Sequence, residues 1–367
     1  MRLGVAAAMV EGSLLAGDVA IEDGHVQAVG LSPAGRSGLA APGFVDVQVN
    51  GFAGVDFLVA DAAGYARAAE ALARTGVTAF QPTLISSPPE VCAEALSTLA
   101  ALDGGVDGAQ VLPAHLEGPF LSPLHHGAHN PANLRPADRE LAAQLCAAGP
   151  VGYVTVAPEI EGGLALVEHL VQRGLIVSLG HSDARGDAAI AAYNRGARAV
   201  THIFNAMRRW APRDPGLPGV ALSRPDVFVT AIVDNVHLAA ETVRLILAGT
   251  RGRLVLITDA IEAAGLGDGS YHLGDRSVQV HGLEARLADG TLAGSVLAMD
   301  RAVRNLMGHG ASLETALDAA TRTPARLLRR PDLGELRPGA RADVVVLDDG
   351  LAVRRTLIAG REVHAGR

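Results

Sequence analysis

From residue 42 onward the chain alternates short runs rich in Val, Ile and Leu with longer Ala/Leu/Arg stretches of helical period. Repetition of that kind is the mark of βα units, in which each apolar strand is buried on both faces by the helices beside it. The apolar runs are Phe44–Val49, Ala79–Pro82, Val111–Leu116, Tyr153–Ala157, Ile176–Leu179, Ala199–Ile203, Phe228–Val233 and Leu254–Thr258. Eight parallel strands with intervening helices close into an α/β (β/α)8 barrel of the TIM type, whose chemistry sits on the loops beyond the C-terminal strand ends. The expected barrel spans 42–332.

The flanks read differently. Asp18 to Val29 alternates around an Asp23-Gly24 turn, and the tail carries Ala342 to Leu347, an Asp349-Gly350 turn and Thr356 to Val363. Both are hairpin patterns, and neither is long enough to bury a core alone. Residues 1–41 and 333–367 are therefore expected to meet in one small β-sandwich domain beside the barrel.

Composition narrows the chemistry. The 367-residue chain has a net charge of -8 and 3% aromatic residues, which excludes the basic patches and stacking platforms of a nucleic-acid binder. All 31 Lys+Arg residues are arginine, so Schiff-base lysines, P-loop lysines and lysine-carbamate metal bridges are excluded. Cys92 and Cys146 are the only cysteines, far apart in helical segments, as expected in a reducing compartment and as small buried residues. The apolar stretch Leu3 to Val10 is short for a secretory signal, and no run approaches membrane-spanning length. A cytoplasmic protein that binds no membrane is the expectation.

Just past the strands stand Gln48 and Asn50, Gln81 and Thr83, His115 and Glu117, Glu159, His181 and Asp183, His202 and Asn205, Asp234 and His237, and Asp259. Any one of these is an ordinary polar loop residue. Gathered on one rim they incur desolvation and mutual repulsion unless they bind something. Glu117, His181 and His202 offer one carboxylate and two imidazoles, enough for a catalytic divalent metal with positions left open for water and substrate. Zinc is the first choice, with iron and manganese alternatives. Asp259 stands where a general base would act; an aspartate after a strand otherwise caps the next helix, but Ala260 to Ala263 is short and runs into Gly265.

These motifs resemble the N-acetylglucosamine-6-phosphate deacetylases of the amidohydrolase superfamily. The likeness runs from Pro42-Gly43-Phe44-Val45-Asp46-Val47-Gln48-Val49-Asn50-Gly51 through Glu117-Gly118-Pro119, Gly127-Ala128-His129-Asn130-Pro131, the His202 to Met207 string and Thr258-Asp259-Ala260. It continues through Leu292-Ala293-Gly294-Ser295 to Gly334–Asp343. Many amidohydrolases carry His-x-His on the first strand and a carbamylated lysine between two metals. Here the first position reads Gln48-Val49-Asn50 and lysine is absent, like the single-metal deacetylases, so one metal per active site is implied.

The resemblance implies Glu117, His181 and His202 as metal ligands, Asp259 as proton acceptor and donor, and His129 as the partner of the acetyl carbonyl oxygen. It implies that Ala128, Asn205, Ala206, Asp234, Asn235, Val236, His237, Leu292, Ala293 and Gly294 line the sugar. Arg213 would bind the phosphate with His237, in its own chain or across a homodimer. Arginine suits this, because its fork matches phosphate oxygens; by itself the loop 208–213 reads rather as a solvated arginine cluster. His125 and His126 stand where lysines would be expected, and Trp210 has no assigned role. The implied reaction removes the acetyl group of N-acetylglucosamine 6-phosphate, giving acetate and glucosamine 6-phosphate. Alternatives are another N-acyl sugar (N-acetylgalactosamine 6-phosphate or an unphosphorylated one), a cyclic amide at a two-metal centre, and a non-catalytic carbohydrate-binding protein.

Overall fold

The computed structural model describes residues 1–102 and 105–366. Eight parallel strands form the barrel: β1 Phe44–Val49, β2 Val77–Ile85, β3 Ala114–Glu117, β4 Val151–Val156, β5 Ile176–Leu179, β6 Ala199–Val200, β7 Phe228–Ile232 and β8 Leu254–Ile257. Neighbours pair in sequence order, and β8 returns to β1 through Asp259 N–H to the Gln48 carbonyl at 2.9 Å and Asn50 N–H to the Ala260 carbonyl at 2.8 Å. The helices follow in turn: α1 Ala62–Ala73, α2 Pro89–Ala100, α3 Arg139–Ala148, α4 Gly163–Gln172, α5 Gly186–Asn194, α6 Gly216–Ser223, α7 Ala240–Thr250 and α8 Met299–Gly308. Starts are set locally where side chains satisfy orphan amides, as Asp61 does for Gly64 and Asp138 for Glu140 and Leu141.

Three strands depart from the sequence expectation. β2 is longer than Ala79–Pro82 and reaches Ile85, because Thr78, Gln81 and Thr83 interrupt the apolar pattern yet are buried in the wall. The third run is broken at Pro113, which has no N–H for the ladder: Gln110–Val111 pairs with Ala79 and Phe80, and Ala114–Glu117 resumes the pairing beside Thr83 to Ile85. Gln81 donates to the Pro113 carbonyl at 2.8 Å, spanning the break. Gln81 and Thr83 are thus wall residues, and Ser86 stands at the rim in their place. The sixth run yields only Ala199–Val200, since His202 turns the backbone left-handed at φ 31.

One element was not expected. Between β8 and α8 the chain builds a three-stranded antiparallel sheet, Gly269–Leu273, Arg276–His281 and Glu284–Arg286. Leu273, Val278, Val280, Ala285 and Leu287 pack with Ile85, Ala128 and Ile261, which seats this sheet over one side of the barrel mouth.

Both ends of the chain enter one further layer. Its six-stranded sheet runs Ser13–Ala16, Ala7–Val10, Leu39–Pro42, Val344–Leu347, Val353–Ile358 and Arg361–Ala365. The hairpin Asp18–Glu22 with His25–Leu31 lays Val19, Ile21 and Val26 against Ala8, Ala40, Val344, Val346 and Leu357, completing a small sandwich. The tail run Thr356 to Val363 is divided by a turn at Ala359-Gly360 into two strands. Only Gly43 separates Leu39–Pro42 in this layer from β1 in the barrel. Cys92 is buried on α2, whereas Cys146 is only half-buried on α3; both thiols are free. Among the described residues no helix is long and apolar enough to cross a membrane.

Candidate metal and active site

The strand ends converge on a cavity of about 320 Å³ at the barrel mouth. Glu117 closes β3 and His181 follows β5 by two residues, while His202 follows the short β6; all three are buried. Glu117 Oε1 lies 3.0 Å from His202 Nε2 and 3.3 Å from His181 Nε2, and the two nitrogens are 3.1 Å apart. A tetrahedral ion about 2.1 Å from each ligand needs them roughly 3.4 Å apart, so this triangle is the right size for one divalent cation. Ligand atoms of Glu117, His129 and His181 also fall within 4.8 Å of one another, which puts the His129 ring beside the same point.

Hydrogen bonds distinguish the histidines. His181 Nδ1 is 2.9 Å from the His125 carbonyl, which can only accept, so Nδ1 carries the proton and Nε2 presents a lone pair to Glu117. His129 Nδ1 is instead 3.2 Å from the Ser86 backbone N–H, which can only donate. The Ser86 hydroxyl, 3.0 Å from the same Nδ1, can donate to it as well; with Nδ1 accepting, the ring proton is on Nε2, 3.7 Å from Glu117 Oε2, and faces the cavity as a donor. His202 Nδ1 is buried with no partner, leaving Nε2 as its working atom.

Burial alone would raise the Glu117 carboxyl, but the His129, His181 and His202 rings around it hold it well below the ordinary range. Burial, reinforced by the neighbouring His129, brings His181 down to about 4, so its ring is neutral as ligation requires. His202 moves the other way: burial lowers it, and the Glu117 carboxylate more than compensates and raises it.

Asp259 sits across the cavity. Its Oδ1 accepts from Asn50 Nδ2 at 2.8 Å and from Gln48 Nε2 at 3.2 Å, and the same Gln48 nitrogen is 2.9 Å from Glu117 Oε1. Burial and the Glu117 charge push the Asp259 carboxyl up to about 6. A carboxyl so placed exchanges protons near neutral pH, and it caps no helix. His181, His202, Ala206 and Asp259 all line the cavity with left-handed backbones, at φ 48, 31, 47 and 49. Strained non-glycine residues concentrated at one mouth are a feature of functional sites, held there by surrounding bonds.

Of the residues expected around a sugar, Ala128, His129, Asn205, Ala206, His237, Leu292 and Gly294 line the cavity. Asp234 stands behind, binding His237 Nδ1 at 2.7 Å and accepting the Val236 and His237 amides, so it aims the His237 ring. Asn235 and Val236 do not line it: Asn235 is exposed and bonds His309, and Val236 only lends its amide to Asp234. Ala293 is fully buried in the core of the added sheet, its N–H on the Ala285 carbonyl at 2.9 Å. Arg213 is exposed in the Ala211–Asp214 turn, outside the cavity.

Ser86, Leu273 and Thr291 were missed. Ser86 was hidden by ending β2 early, and Leu273 and Thr291 belong to the added sheet and the loop after it.

The sequence pattern of the amidohydrolase family matches residues 39–363. The chain belongs to the amidohydrolase family. Among its relatives, human N-acetylglucosamine-6-phosphate deacetylase is 44% identical over 338 residues, 88% of this chain and 83% of that one. The N-acetylgalactosamine-6-phosphate deacetylase of Escherichia coli O157:H7 is 38% identical over 328 residues, 88% of this chain and 87% of that one. A solved Mycobacterium smegmatis N-acetyl-D-glucosamine-6-phosphate deacetylase variant, in complex with N-acetyl-D-glucosamine-6-phosphate, superposes with a TM-score of 0.92 at 36% identity over 99% of both chains. That of Thermotoga maritima gives 0.91 at 33% identity over 100% of both. This amidohydrolase thus shares its whole barrel and terminal layer with deacetylases of phosphorylated amino sugars.

Proposed function

We propose that this amidohydrolase removes the acetyl group of N-acetylglucosamine 6-phosphate, releasing acetate and glucosamine 6-phosphate, with one divalent ion held by Glu117, His181 and His202. The observation that carries the reading is the triangle of ligand atoms at 3.0, 3.1 and 3.3 Å, with an elevated carboxyl, Asp259, across the cavity. Two imidazoles and a carboxylate favour zinc, while iron and manganese accept the same donors. A divalent ion so bound supplies Lewis acidity, activating water and polarising the acetyl carbonyl.

The chain's own groups supply the rest. Asp259 Oδ1 is engaged by Gln48 and Asn50, which leaves Oδ2 to take the proton of the attacking water and return it to the departing amine. His129, protonated on Nε2 by virtue of its Ser86 bond, donates to the carbonyl oxygen as negative charge develops there. The Gln48 amide reaches both Glu117 and Asp259, a neutral donor between two carboxylates where a second cation would otherwise sit, which supports a single metal.

Ala128, Asn205, Ala206, Leu292 and Gly294 would surround the sugar, with His237 directed by Asp234 toward the phosphate. Among the described residues no arginine lines the cavity. Arg213, exposed in the Ala211–Asp214 turn, would complete the phosphate site from the partner subunit of a homodimer. Two free thiols and an acidic chain suit work in the cytoplasm.

The galacto epimer is the second reading, favoured by the similarity to the Escherichia coli O157:H7 enzyme. Acetate release measured from both phosphorylated epimers and the free sugars, with metal analysis on the same sample, tests both readings. The proposal expects one metal per chain and fastest turnover of N-acetylglucosamine 6-phosphate. No turnover of any N-acetyl hexosamine, or two stoichiometric metals, would overturn it.

A further inference from the structure

The reaction outlined above leaves two rim carboxylates, Glu159 and Asp183, without a task. Glu159, just beyond β4, is half-buried; its Oε1 accepts the Asp183 backbone N–H at 2.6 Å and its Oε2 accepts the Ser182 hydroxyl at 2.7 Å. Both donors lie in the turn directly after His181, where the backbone is left-handed at φ 48. Such a conformation persists in a residue bearing a side chain only when its surroundings over-determine it. Ser182 is fully buried, so without Glu159 its hydroxyl would face the interior with no acceptor.

The constraint travels further along the turn. Asp183 Oδ1 meets His125 Nε2 at 3.0 Å and both Asp183 oxygens bind Arg208 Nη1 at 3.0 and 3.1 Å. The His125 carbonyl is the group that takes the His181 Nδ1 proton and aims the ring. Glu159 thus fixes the backbone that bears His181, and through Asp183 it also anchors the residue that orients the His181 side chain.

We propose that Glu159 is a positioning residue for metal binding, holding the turn after β5 so that His181 Nε2 faces Glu117. This rests on the assignment of His181 as a ligand. Loss of outer-shell partners of this kind lowers metal affinity by roughly 10–100-fold. The Glu159 carboxylate touches neither cavity nor substrate contacts, so the effect should appear in metal binding before it appears in KM.

Purified full-length protein, stripped of metal, would be titrated with zinc, and the cobalt-substituted form would be followed by its visible absorption. Glu159→Ala is expected to weaken zinc affinity by roughly 10–100-fold and to alter the cobalt spectrum. Glu159→Gln keeps an acceptor for the Asp183 amide and is expected to lose less. Ser182→Ala should weaken binding alone yet add little to Glu159→Ala, because both act through one contact. If Glu159→Ala does not fold, Glu159→Gln and Ser182→Ala carry the same test. Zinc affinity and cobalt spectrum unchanged in these variants, with only the melting temperature lowered, would overturn the proposal. Stoichiometric tight zinc in His181→Ala would instead refute the ligand assignment beneath it.

Discussion

Asn50 Nδ2 lies 2.8 Å from Asp259 Oδ1, so the first strand of the barrel holds the carboxyl, carried by the last, that we propose as the proton-transfer group. The bond favours the ionised form, opposing the burial that raises Asp259 to about 6. A base must be ionised to act, so kcat/KM should fall as pH drops through about 6, and a bound divalent ion can shift this limb only downward. Asn50→Ala should move it upward, whereas Asp259→Asn should cost on the order of 10²–10⁴ in kcat without releasing metal. A limb unmoved by Asn50→Ala in a pH–rate profile would count against the contact.

Arg213 tests the phosphate site. Substitution with alanine should raise KM for the 6-phosphate substrate by roughly tenfold or more, the loss of one charge-assisted bond, and leave KM for the free sugar nearly unchanged. If the residue acts across a homodimer, the effect on the phosphorylated substrate should be matched by dilution to monomer, followed by light scattering. Equal changes for both substrates would remove Arg213 from the phosphate site.

Gly294 stands in the cavity wall at φ 58, and a β-carbon there would lie 2.6 Å from Ile261 Cγ2 and 2.8 Å from the Asp259 carbonyl oxygen. Gly294→Ala therefore has to displace the backbone that carries Asp259, the proposed base. We expect about 1–3 kcal/mol of destabilisation in urea unfolding and a fall in kcat larger than any rise in KM.

Asp46 gives a prediction for stability. It is fully buried, accepts the Thr258 hydroxyl at 2.6 Å, and burial raises it to about 7. The folded state holds this proton more tightly than the unfolded chain, whose value is near 3.8, so the contribution is complete below that pH and is lost as pH rises through about 7. The melting temperature should decline between pH 5 and pH 8 for this reason, and Asp46→Asn should flatten the decline. A slope identical to that of the wild type would refute it.

The barrel was legible because its strands are buried on both faces and so read as continuous apolar runs. Where polar residues serve the wall itself, as Gln81 does in patching the gap at Pro113, the pattern misplaced a strand end and concealed Ser86. Glu117, His181, His202 and Asp259 could be picked out because ionisable side chains at successive strand ends have few other uses. The added sheet could not: Gly269–Leu273 and Arg276–His281 alternate like any surface hairpin, and nothing local says that Leu273 faces a cavity. Positions named only as members of a string, such as Ala293 and Asn235, fared worst, since adjacency in sequence does not decide which way a side chain faces.

The strand Leu39–Pro42 has Ala7–Val10 on one side and Val344–Leu347, from the far end of the chain, on the other. During synthesis it must wait with one edge bare until the closing segment emerges from the ribosome, long after the barrel's own strands have been made. A product interrupted before that point would thus leave one row of strand amides and carbonyls unpaired, a template for pairing with another chain.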